Sequence, residues 1–209
     1  MTSEKFMLNS DAGRMAAARY ATEDFARQAD LTKRDTLRLD LLVEETLGMV
    51  KVMVDEFYGQ LWFVGNGNAC EIHLEATATM NANRKQELLS VSSSGRNAAA
   101  KGFMSMLGEM ISAALYGFGH ALDTYGMETM KYGVVHAEGI HTPGNPDLMP
   151  LWTLQSFKVN LDGADHGDAA VEAACDELEK SIVANLADDI VVGVKGDRIE
   201  LVITKRFGA

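Results

Sequence analysis

In the stretch LRLDLLVEETLGMVKVMVDEFYG, Leu37 to Gly59, Glu45 sits in a segment whose apolar residues recur every three or four positions. A carboxylate so placed can take a proton from a substrate or help to hold a cation. It serves equally well as the polar flank of an amphipathic helix, because glutamate is a good helix former. Glu44 beside it points about 100° away around a helix, so the two do not form a working acid pair. A second candidate is SSSGRNAAAKGF. There Ser94 and Gly95 precede a helical pattern, with Arg96 and Lys101 nearby, and such a helix entry can cradle an anion. The serines are also ordinary helix caps.

The remaining reactive side chains make weaker patterns. His120, His136, His141, Asp165, His166 and Asp168 are the metal-like inventory. The histidines of VVHAEGIH are five apart, no H-E-x-x-H occurs, and DGADHGD lacks the alternation and distal glutamate of an EF-hand loop. These are expected to be solvated loop residues. Cys70 and Cys175 stand alone without C-x-x-C spacing and read as small core residues. Neither G-x-S-x-G nor a Walker A motif is present. Met104, Met106, Met110, Met127 and Met130, with Phe103, Phe118 and Tyr125, suit either an adaptable binding surface or a gap-filling core.

The elements that must position these groups follow from periodicity. Phe6–Leu8 predicts a short edge strand. Ser10 or Asp11 then caps a helix carrying Ala18, Ala21, Phe25 and Ala29. Thr32 or Asp35 caps a long helix whose apolar face runs Leu39, Leu42, Thr46, Val50, Met53, Phe57, with Gly59 as its stop. QLWFVGNGNACEIHLEATA predicts two strands around a Gly-Asn turn, with Glu71, His73 and Glu75 on a solvated face. Pro143, Pro146 and Pro150 mark an irregular loop. LWTLQSFKVNL predicts a strand. Asp168–Asn185 predicts a helix with Val171, Ala174, Leu178, Ile182 and Leu186 along one face, and a hairpin about Lys195-Gly196-Asp197 closes the chain. No internal repeat is visible. The mixed order predicts an α+β two-layer sandwich, a mixed and mostly antiparallel sheet covered on one face by helices.

Composition bounds the classes. The chain has 209 residues, 47% of them hydrophobic and 23% charged, which fits one folded domain. A net charge of -11 disfavours non-specific contact with nucleic acid or anionic membrane, though not with a basic partner protein. No run approaches the roughly 20 apolar residues of a membrane span, and the first residues lack a signal-peptide pattern. A cytoplasmic protein is the expectation.

The order strand, helix, long helix, hairpin resembles the GHKL (Bergerat-fold) ATP-binding family, in particular its bacterial anti-sigma factor and serine kinase branch. That family carries E-x-x-x-N on its long helix. The glutamate activates water or a hydroxyl, and the asparagine ligates magnesium. By this resemblance Glu45 stands at the glutamate and Met49 at the asparagine, where a thioether is a poor ligand for a hard cation. The family's D-x-G-x-G would follow the hairpin, where this chain has ATATMNAN. Its glycine-rich lid corresponds to Ser92–Gly95, with Arg96 and Lys101 nearby. The resemblance implies a single Bergerat-like domain over residues 1–209 with an insertion at about 115–150. It implies a regulatory protein that binds a protein partner, with nucleotide binding weak or lost. The alternative is an active ATP-dependent serine kinase, with ATP and magnesium as cofactors, Glu45 as base, and Asp40 or Asn81 replacing the missing ligands. A small-ligand module around the methionines is a third expectation. Oligomer formation is left open.

Overall fold

The computed structural model describes residues 1–9, 12–53, 56–79, 150–195 and 198–208. They form an α+β fold, an open six-stranded antiparallel sheet with helices packed against it. In chain order the elements are β1 (Phe6–Asn9), α1 (Ala12–Gln28), α2 (Lys33–Met53), β2 (Glu56–Asn66), β3 (Ala69–Thr79), β4 (Pro150–Thr153), α3 (Leu154–Asp162), α4 (Ala169–Lys180), α5 (Ile182–Leu186), β5 (Asp189–Lys195) and β6 (Arg198–Arg206). The strands lie in the order β1-β2-β3-β6-β5-β4, and all five pairings are antiparallel.

Alternation decides which face meets the helices. Leu8, Leu61, Phe63, Ile72, Leu74, Ile190, Val192, Leu201 and Ile203 join one core cluster with Phe25, Leu39, Leu42, Phe157, Leu161 and Val183 from the helices. Each half of that core has an aromatic pair. Phe25 stacks on Phe63 with centroids 5.0 Å apart, and Trp152 meets Phe157 at 5.6 Å.

Local chemistry accounts for most boundaries. Leu31 N–H donates to Ala26 O at 3.0 Å and Asp30 N–H to Arg27 O at 3.3 Å. This Schellman closure of α1 puts Asp30 at φ 53, a left-handed conformation that aspartate tolerates. Thr32 then caps α2. Its hydroxyl oxygen accepts from Asp35 N–H at 3.2 Å, while its hydroxyl hydrogen goes to the Asp35 carboxylate at 2.7 Å. Gly67, at φ 61, is the first central residue of the two-residue β2–β3 turn, the position where a II′ hairpin favours glycine.

Three expected boundaries are corrected. Phe57 and Gly59 belong to β2, not to the end of α2. At Gly59 a Cβ would lie 2.7 Å from Glu75 O, so this glycine allows close approach of β3 and does not stop a helix. LWTLQSFKVNL is strand only as far as Thr153. The Thr153 hydroxyl accepts from Ser156 N–H at 3.0 Å and starts α3. The helix expected from Asp168 to Asn185 breaks at Ser181, which caps α5, and the break leaves Ile182 exposed. The capping residues Ser10 and Asp11, the Gly196-Asp197 turn and residues 115–149 of the expected insertion lie outside the described residues.

The two halves repeat one plan of strand, helices and hairpin, although no repeat was visible in the sequence. Glu200 stands 129 positions after Glu71, and Gly196 stands 129 after Gly67. His73 and Val202, also 129 apart, pair directly across β3 and β6. A local twofold axis therefore passes through that pair.

Candidate functional site

On α2, Glu45 is half-buried and Glu44 exposed, as helical geometry requires of neighbours 100° apart. Leu39, Leu42, Val43, Thr46 and Leu47 are buried and fix the helix to the core. Thr46 donates its hydroxyl to Leu42 O at 2.6 Å, which commits that proton to the helix backbone. Met49 follows Glu45 by one turn of the same continuous helix, and its side chain is not among those described. The residues one turn away from Glu45 in either direction are Leu41, Leu42, Gly48 and Met49. None has a side-chain oxygen.

Asp40 does not fill that gap. Five residues before Glu45, it lies about 140° away around the helix. Its electrostatic neighbours are Glu23 and Arg19 on α1 and Glu44 on α2. Burial first, and then Glu23, push its carboxyl above the usual range, and its Oδ1 has no hydrogen-bond partner among the described residues. Asn81, Ser92, Ser93, Ser94, Gly95, Arg96, Lys101, the methionine cluster and His120, His136 and His141 lie outside the described residues.

Asp165, His166 and Asp168 are exposed in the α3–α4 connection, as expected. Gly167 N–H donates to Asp165 Oδ1 at 2.9 Å, an Asx turn. Among the described residues no group of three or more His, Cys, Asp or Glu is placed to hold a metal ion. Cys70 is a core residue whose thiol is pushed up to about 12, by burial first and then by Glu71. It is not a thiolate nucleophile at neutral pH. Cys175 is half-buried on α4.

The cluster that periodicity missed lies on the sheet face turned away from the described helices. His73 was expected on a solvated face, yet it is only 1% exposed, as is Glu200. His73 Nε2 is 2.9 Å from Glu71 Oε2, and its Nδ1 is 4.0 Å from Glu200 Oε1. The ring stacks on Trp62 at 4.9 Å, and Lys5 Nζ lies 4.2 Å from the Trp62 ring centroid. Glu75, on the same face, pairs with Arg198. Glu71 and Glu200 are the residues related by the local twofold, so one axis brings two carboxylates to one imidazole. A carboxylate on Nε2 fixes the ring's orientation, and both contacts become ion pairs when the ring carries its second proton. The sequence did hold a signal, Gly-Asn before one E-x-H and Gly-Asp before E-L-V. It acquires meaning only when β3 is known to pair with β6.

Compared with protein-family models, curated proteins and solved structures, the chain finds no match. Among the described residues no helix is long and apolar enough to cross a membrane.

Proposed function

We propose that this chain is a regulatory protein of the anti-sigma factor type, acting through protein–protein binding, with nucleotide binding weak or lost. The observation that carries this reading is the helix around Glu45. Its neighbours at one turn are Leu41, Leu42, Gly48 and Met49, so α2 offers no second hard donor within one turn of that carboxylate. Magnesium demands near-octahedral oxygen coordination. Asp40, one of the two substitutes that a working kinase could use beside Asn81, has Glu23 and Arg19 of α1 as electrostatic neighbours. A polar partner lost from a desolvated site costs about 1–3 kcal/mol, and two such losses approach a thousandfold in affinity. The α1–α2 layer meanwhile presents Tyr20, 74% exposed, and Leu37, 65% exposed. Large side chains of this kind serve as contact anchors when a partner covers them.

Isothermal titration with ATP and magnesium separates the alternatives. The expected result is no saturable heat at micromolar nucleotide, and micromolar, magnesium-dependent binding overturns the proposal. A photo-crosslinking residue at Leu37 tests the contact surface in the native cell. It should capture a protein that the same residue at exposed Ile182 does not, and equal yields at both positions would remove the α1–α2 layer from the proposal.

A further inference from the structure

No further inference is drawn: the strongest candidate, the buried His73–Glu71–Glu200 cluster on the sheet face turned away from the described helices, carries none, because nothing among the described residues shows what covers it or what ligand would reach it.

Discussion

The two halves of the molecule use one plan and dress it differently. In the first, residues 12–53 hold seven acidic and seven basic side chains. In the second, residues 154–186 also hold seven acidic side chains but only two basic ones, Lys158 and Lys180. The first layer interleaves its charges, with Arg19 on Glu23, Arg27 on Asp24 and Arg38 on Asp35. In the second, Lys158 turns inward and donates to Ala184 O at 3.2 Å near the end of α5, where carbonyls lack helical partners. Lys180 is left paired with Asp176. The helical segment of the second half thus carries a net charge of -5, seven acidic against two basic, while that of the first is neutral. Apolar positions at the sheet keep the frame alike in both halves. Exposed charge has no such constraint, because surface pairs are worth at most about 1 kcal/mol.

The comparison breaks most readily in the core. Phe63→Ala and Trp152→Ala each remove one ring of the aromatic pair of one half and should each cost about 3–5 kcal/mol. Because β3 and β6 join the halves directly, denaturant unfolding of either variant should remain a single transition. Two separate transitions would show that the halves are independent domains.

The seam between the halves gives the next effect. His73→Val makes the axis pair symmetric with Val202 but strips the imidazole from two carboxylates. A loss of roughly 3 kcal/mol is expected. Adding Glu200→Leu should restore much of it, since an apolar residue replaces a buried carboxyl group that has lost its imidazole neighbour. A double variant no more stable than His73→Val alone would mean that the cluster is not electrostatically matched.

Smaller again are the caps peculiar to the second half. Thr153→Ala and Ser181→Ala should each cost about 1 kcal/mol. As caps of different helices they should add in the double variant, and marked non-additivity in thermal unfolding would tie α3 to α5 more closely than their separate caps suggest.

The finest comparison lies within α2. Hydrogen bonding by Thr32 first, and then Arg38, hold the Asp35 carboxyl below its ordinary 3.8, against the opposing effect of burial. Its ionised form therefore adds stability above pH 3.8, lost as pH falls through the folded value. Asp40 is raised above 3.8, so its ionised form costs stability at neutral pH and nothing well below 3.8. At pH 7 Asp35→Asn should lower the melting temperature and Asp40→Asn should raise it or leave it unchanged. Both differences should fade in acid. The same sign for the two variants at pH 7 would contradict this assignment.

Much of the fold was legible because short-range chemistry fixed it. The Gly-Asn turn, the edge strand at Phe6, the Thr32 cap and the alternation of Cys70, Ile72, Leu74 and Ala76 are local facts. The boundaries that differ share one cause. Phe57 continues the helical period of α2 and Val159 continues an apolar run, but pairing with β3 claims the first, and the Thr153 cap turns the second into helix. Of the candidate site, Glu45 was placed correctly on its helix. The burial of His73 does not show in the alternation of β3, because its neighbours Trp62 and Glu200 stand on other strands.

By itself the sequence determined an α+β chain with a long amphipathic second helix, Glu45 upon it and apolar Met49 one turn later. Periodicity and side-chain type are properties of neighbouring residues, so they survive without a fold. Only the tertiary structure decided that β3 lies against β6, that the two hairpins are related by a twofold, and that Glu71 and Glu200 meet at His73. Those contacts join residues more than a hundred positions apart, and nothing local specifies which strand will be whose neighbour.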